Sequence, residues 1–147
     1  MTEQTTTTQT LSLDNDLEEL PKLHAAIEQF FQRLLLNSEL AGEMQLVAEE
    51  LLVNTIEYGY KDQKKHRITI DLSHQNQLFS LTLIDDAMAF NPLEVSPPEL
   101  GLAIEDCAVG GLGLPLIKAL SDSQHYRYEN EQNIVTINKS TAPSSAG

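Results

Sequence analysis

The chain has 147 residues, 41% of them hydrophobic, and its 22 acidic and 9 basic residues give a net charge of −13. This length and composition are typical of one soluble globular domain with a full core. No apolar run approaches the ~20 residues that span a bilayer. Because no Lys/Arg cluster is present, direct binding to nucleic acid and to anionic membranes is disfavoured.

The start of the chain and its single cysteine bear on location. Residues Met1–Gln4 and the following Thr run have neither the basic nor the apolar region of a secretory signal. Cys107 is the only cysteine, which excludes an internal disulfide and fits a reducing compartment. The sequence therefore predicts a cytoplasmic protein.

The first half of the chain predicts one short strand and two helices. Residues 1–9 are rich in Thr and Gln and are expected to be disordered, whereas residues 10–13 alternate as a strand does. Apolar residues then recur at helical spacing over residues 17–36. A second helix is predicted over residues 38–58, with Gly59 as the residue that ends it.

The second half predicts two hairpins separated by a long loop and a helix. The loop covers residues 85–111, and a connection of this length in a compact domain is usually functional, often a lid. The order β, α, α, β, β, lid, α, β, β predicts a two-layer α/β (α+β) sandwich, a mostly antiparallel mixed sheet with helices on one face. The predicted strands are 67–73, 78–84, 124–129 and 134–138, and the last two are joined by a turn over 130–133. The predicted helix is 114–120. The domain is expected to cover residues 10–139, followed by a flexible tail over 140–147.

Glu50 and Asn54 form a polar pair within an apolar helical run. Residues four apart lie on one helical face, so the carboxylate and the amide point the same way. Buried polar groups are costly unless they are paired. The amide oxygen suits Mg²⁺ and the carboxylate suits a general base, although two polar residues tolerated at the solvent edge of a helix would give the same spacing.

Two later segments favour a ligand cleft. Asp85 follows an apolar strand and could accept a hydrogen bond from an exocyclic amine, and equally it could be an ordinary turn residue. The cluster Gly110-Gly111-Leu112-Gly113 directly precedes a helix, where backbone N–H groups and the helix N-terminus suit phosphate. A flexible hinge explains the same cluster, and it is neither a Walker A motif nor a dinucleotide fingerprint.

The three segments, in this order, resemble the motifs of the Bergerat-fold (GHKL) ATPases. Within that superfamily they are most similar to the anti-sigma factor serine/threonine kinases. Glu50-x-x-x-Asn54 resembles the N box, and Asp85-x-Ala87 stands where the first glycine box has Asp-x-Gly. Phe90-Asn91-Pro92 resembles the Phe-Asp-Pro that often follows, and Gly110-Gly111-Leu112-Gly113-Leu114 resembles the second glycine box. The resemblance extends from about Thr10 to Lys139.

The resemblance implies a role for each of these residues in binding and using Mg-ATP. Asp85 would accept a hydrogen bond from the adenine amino group, and Thr136 in the last strand would support the adenine site, which Ala87 and Phe90 would line. Asn54 would bind the Mg²⁺ that bridges the phosphates, which the amides of Gly111 to Leu114 would wrap. Glu50 would act as general base toward a serine or threonine hydroxyl of a partner protein.

By this resemblance the chain is expected to phosphorylate a small STAS-type anti-anti-sigma partner, to bind a sigma factor, and to form homodimers. Two departures from the family pattern support an alternative. Ala87 replaces the usual Gly, and Tyr58 stands where close relatives often have His before Gly59. The alternative is a non-catalytic partner-switching module that sequesters a sigma factor or another regulator.

Overall fold

The computed structural model describes residues 5–93 and 113–143. These residues form two layers, a five-stranded sheet and a layer of helices packed on one of its faces. The predicted fold class is confirmed, and every pairing between the described strands is antiparallel. The elements are β1 Thr7–Asp14, α1 Leu20–Arg33, α2 Ser38–Asn54, β2 Arg67–Gln75, β3 Leu78–Asp85, α3 Gly113–Leu120, β4 Ser123–Glu129 and β5 Gln132–Ser140.

The sheet has the strand order β1-β2-β3-β5-β4. Two hairpins, β2–β3 and β4–β5, turn through Asn76–Gln77 and Asn130–Glu131, and all four of these residues have a positive φ. Two-residue turns of this kind match the right-handed twist of the flanking strands. β5 pairs with β3 in a register that sets Asp85 opposite Asn133. The C-terminal end of β3 and the N-terminal end of β5 therefore lie side by side at one end of the sheet.

The core lies between the inward face of the sheet and the apolar faces of α1 and α2. Phe30 and Phe31 of α1 pack against Phe79 of β3, with ring centroids 5.8 and 4.8 Å from that of Phe79. All three rings are fully buried. The buried residues of β2 and β3 alternate with more exposed residues, most of which are polar, as in a half-buried antiparallel sheet.

Several element ends differ from the sequence prediction for local reasons. The Asp16 side chain caps a 3₁₀ turn over Leu17–Glu19, so α1 begins only at Leu20. β1 begins at Thr7, because Thr7–Gln9 pair with β2. α2 is regular only as far as Asn54, and the chain then makes a π-helical turn over Thr55–Gly59. Such turns are rare and often occur at functional sites.

No helix in the described ranges is both long and apolar enough to cross a membrane. Cys107 and the predicted lid from residue 94 onward lie outside the described residues. The loop after β3 is described as far as Leu93, and this part contributes to the cavity described next.

Candidate functional site

A small cavity lies where the end of α2 meets the ends of β3 and β5. Its volume is about 10 Å³, which gives room for about one water molecule. Among the described residues, its polar side chains are those of Thr55, Asp85 and Asn133. The cavity is lined by Leu51, Thr55 and Gly59 from α2 and the π-helical turn, by Leu83, Asp85, Asn133 and Val135 from the sheet, and by Ala87, Phe90 and Pro92 from the loop.

Asp85 is the charged residue of this cavity, and only 4% of its surface is exposed. Its Oδ1 accepts hydrogen bonds from the Ala87 backbone N–H at 3.0 Å and from Asn133 Nδ2 at 2.9 Å. Burial raises the pKa of the Asp85 carboxyl, while these two hydrogen bonds act to lower it. Two donors on one oxygen fix the carboxyl group so that it presents an acceptor to the cavity.

Asn133 is a site residue that the sequence prediction missed. Residues 130–133 were expected to form a turn, whereas the turn is only Asn130–Glu131 and Asn133 lies within β5. Only 2% of Asn133 is exposed. A signal was available in the pattern, because Asn133, Val135 and Ile137 share the period of two that marks one face of a strand.

Thr136 does not lie where the resemblance implies. It follows buried Val135 in β5, so its side chain faces the opposite side of the sheet. There its Oγ1 lies 3.3 Å from Thr82 Oγ1, and it lines a separate surface depression with His125. The adenine-site role inferred for Thr136 is therefore corrected, and the β5 side chain beside Asp85 is that of Asn133.

Glu50 and Asn54 lie on the same face of α2, as their spacing predicts. Asn54 is buried, and Glu50 is partly buried. Glu50 Oε2 is buried without a hydrogen-bond partner in the described part of the chain. Burial raises the pKa of the Glu50 carboxyl, and the neighbouring Glu49 raises it further. A desolvated carboxylate held at this position is a stronger base than one in water.

Ala87 packs closely against Gly59 at the end of the π-helical turn. A Cβ built on Gly59 would lie 3.0 Å from the Ala87 Cβ. Ala87 does not have a positive φ, so its methyl group causes no backbone strain. The methyl group that replaces the glycine of the family motif is therefore accommodated by a glycine on the facing element.

We expect Gly59→Ala to lower the free energy of unfolding by roughly 1–3 kcal/mol, because two methyl groups would be forced together. The double substitution Gly59→Ala/Ala87→Gly should recover most of this loss. Urea unfolding of the wild type, both single variants and the double variant forms a complete cycle. If the changes in the free energy of unfolding of the two single variants simply add in the double variant, the contact between Gly59 and Ala87 is contradicted.

A second polar cluster joins the end of the π-helical turn to the loop after β3. The Tyr60 hydroxyl donates to Asp86 Oδ1 at 2.8 Å, and the Tyr60 ring stacks on His66 at 4.3 Å. His66 Nδ1 lies 3.3 Å from Asp86 Oδ2, and its Nε2 lies 2.8 Å from Asp62 Oδ2. Carboxylates only accept hydrogen bonds, so the imidazolium form of His66 satisfies both contacts, and these carboxylates raise the pKa of His66.

The sign of the resulting pH effect follows from this raised pKa. The interaction of His66 with the two carboxylates contributes fully to stability below the unfolded-state pKa of about 6.5. This contribution is lost as the pH rises through the higher folded-state pKa of His66. We expect the wild type to be more stable than His66→Gln at pH 6, with the difference shrinking toward pH 9. Urea unfolding across this range measures it, with His125→Gln on β4 as the matched control. A difference that is constant with pH would contradict the assignment.

The remaining predicted site residues are only partly described. The Phe90 backbone N–H donates to Asn133 Oδ1 at 3.0 Å, which ties the loop to β5. Gly113 and Leu114 begin α3. Gly110, Gly111 and Leu112 lie outside the described residues. Among the described residues, no group of three or more His, Cys, Asp or Glu side chains could hold a metal ion.

The family model of the histidine kinase-like ATPase domain matches residues 13–139. The chain therefore belongs to this family, and the resemblance to Bergerat-fold ATPases is confirmed. It is similar to the serine/threonine-protein kinase BtrW of Bordetella bronchiseptica, with 25% identity over 109 residues that cover 74% of this chain and 77% of that protein. It is also similar to the serine-protein kinase RsbW of Listeria innocua, with 24% identity over 101 residues. That match covers 66% of this chain and 64% of the Listeria protein, less than two thirds of its length.

Proposed function

We propose that this chain is a protein-serine/threonine kinase that transfers the γ-phosphoryl group of Mg-ATP to a small STAS-type anti-anti-sigma partner. The observation that carries the proposal is the buried Glu50 Oε2, which has no hydrogen-bond partner among the described residues and lies one helical turn before Asn54 in an ATPase-family domain. A carboxylate oxygen without a partner costs stability. A carboxylate in this position therefore favours a role toward a ligand over a role in packing.

The residues of the cavity fit the base of ATP in their chemistry. Asp85 supplies an acceptor for the adenine amino group, and apolar side chains supply the surroundings for the ring. With room for about one water molecule, the cavity must widen to admit a purine. Phe90 and Pro92 line it from the loop, so an outward shift of this loop is the natural route of entry.

Asn54 is the residue that would hold Mg²⁺, since its amide oxygen is a suitable hard ligand and Mg²⁺ keeps several waters. When bound, this ion neutralises phosphate charge, which a protein with a net charge of −13 requires. The backbone amides of Gly111 to Leu114 would contact the phosphates at the start of α3.

Glu50 would accept the proton of the attacking serine or threonine hydroxyl. Its raised pKa brings the carboxylate closer to the value that is optimal for a general base near neutral pH. Otherwise transfer depends on positioning and charge stabilisation. The test is transfer of label from γ-labelled ATP to a STAS-domain protein of the same organism. Labelled phosphoserine or phosphothreonine on that protein supports the proposal, and its absence despite ATP binding contradicts it.

The same proposal includes a cytoplasmic homodimer, a sigma factor as second partner, and residues 10–139 as the kinase domain. A second candidate is a non-catalytic partner-switching module, which the small cavity with Ala87 in its lining favours. The two candidates predict different results in the labelling experiment, because only the kinase modifies its partner.

A further inference from the structure

Asn133 uses its entire hydrogen-bonding capacity on the protein. Its Nδ2 donates to Asp85 Oδ1 at 2.9 Å and contacts the backbone oxygens of Ala87 at 3.2 Å and Met88 at 2.9 Å. Its Oδ1 accepts from the Phe90 N–H at 3.0 Å and from the Tyr126 hydroxyl at 2.6 Å. An amide has two N–H donors and one oxygen. Asn133 therefore has no free polar atom for a ligand.

The two oxygens of the Asp85 carboxyl group consequently differ. Oδ1 is occupied by Asn133 and by the Ala87 N–H, whereas within the described ranges no hydrogen bond reaches Oδ2. Because Asn133 donates to this carboxyl group, it stabilises the ionised form. No described residue occupies this oxygen, so the cavity offers a ligand one carboxylate oxygen that can accept a hydrogen bond but cannot donate one.

We propose that Asn133 is a positioning and specificity-determining residue that keeps Asp85 an acceptor-only group, and that this selects a 6-aminopurine nucleotide over a 6-oxopurine one. A 6-amino group donates to the free carboxylate oxygen, whereas a 6-oxo group would place lone pairs against it. A site with a polar group left unpaired by the wrong ligand discriminates strongly. This inference rests on the proposed function in taking a purine nucleotide as the ligand.

The same side chain also sets the course of the loop. By contacting the backbone of Ala87, Met88 and Phe90, Asn133 joins the loop to β5 at three points within four residues. The titratable groups that interact with Asp85 at this place are Asp86, Tyr60 and Tyr126. Among these side chains, the Asp85 carboxyl is the group to which Asn133 donates directly.

The test compares ATP with inosine triphosphate, which has a 6-oxo group, in calorimetric titrations of the wild type and Asn133→Thr. Threonine is well tolerated in strands but lacks the amide donor. We expect the preference for ATP to fall about 10-fold, since a hydrogen bond to a charged group is lost. Asn138→Thr is the matched control, because Asn138 lies on the same strand and bonds Ser80 and Ser123 instead. An unchanged preference in Asn133→Thr would overturn the proposal.

A second readout needs no nucleotide. The pKa of Asp85, followed by carboxyl carbon NMR in the free protein, is expected to rise in Asn133→Thr and to stay the same in Asn138→Thr. An unchanged pKa overturns the role of Asn133. A wild type that binds neither nucleotide overturns the proposed function and the specificity, while the NMR titration still decides the positioning role.

Asn133→Asp is the second variant for this test, to be used if Asn133→Thr does not fold. It keeps the shape of the side chain and an oxygen for Phe90 and Tyr126, but sets a second carboxyl group 2.9 Å from Asp85 Oδ1. Two carboxyl groups this close share a proton. We expect the two carboxyl groups to titrate as a coupled pair with a raised pKa. The preference for ATP should decline as this pair becomes protonated. Independent titration at ordinary values would contradict the proposal.

Discussion

Replacing Glu50 with Gln is expected to reduce phosphoryl transfer by about 10²–10⁴-fold while nucleotide binding is retained. The substitution keeps the size of the side chain but removes the group that accepts the proton of the hydroxyl nucleophile. Single-turnover transfer from γ-labelled ATP to the STAS partner measures the rate, and calorimetry measures the affinity for ATP. The two readouts separate loss of chemistry from loss of binding.

Glu57→Gln is the matched control for this experiment. It makes the same change in the π-helical turn, where Glu57 is exposed to solvent. The control variant should transfer phosphate at the wild-type rate. Transfer by Glu50→Gln at the wild-type rate would refute the role of Glu50 as general base, and equal losses in both variants would indicate a general effect of charge.

Asp85→Asn is expected to weaken ATP binding by about 10- to 100-fold, which corresponds to a lost hydrogen bond to a charged group. The new amide would keep its oxygen toward the N–H groups of Ala87 and Asn133 and present its NH₂ group to the cavity. A donor would then face the donor of the base. Calorimetric titration measures the affinity.

The same variant is expected to be no less stable than the wild type at pH 7. Burial raises the pKa of Asp85, so the folded state holds this proton more tightly than the unfolded state does. Ionisation therefore costs stability above the unfolded-state pKa of about 3.8.

Asp71→Asn is the control for Asp85→Asn, because Asp71 accepts a hydrogen bond from Thr10 elsewhere on the sheet. Unaltered ATP affinity in Asp85→Asn would contradict the assignment of the base site.

The sequence predicted the elements whose pattern is repeated and local. Helical spacing of apolar residues located α1 and α2, and strict alternation located β2 and β3. The ordered motifs predicted the ATPase family, which the match over residues 13–139 confirms. The roles of Glu50, Asn54 and Asp85 remain predictions that the geometry supports, since these residues lie on the elements that the pattern required.

The parts that sequence missed depend on register. Asn133 resembles a turn residue because Asn is common in turns, and only the pairing with Asp85 shows that it faces the cavity. Thr136 lies three positions further along the strand, and an odd offset places a side chain on the other face. The contact of Gly59 with Ala87 joins residues far apart in sequence, so no local pattern could indicate it.

The most direct test of the account is calorimetric titration of the unaltered protein with ATP, in the presence and absence of Mg²⁺. The account predicts saturable binding that Mg²⁺ strengthens, since an acidic protein must offset the charge of the phosphates. Binding of this kind places a working nucleotide site in the chain and makes the labelling of a partner the next step. No binding under either condition would contradict the kinase proposal and favour the partner-switching module with a closed cavity.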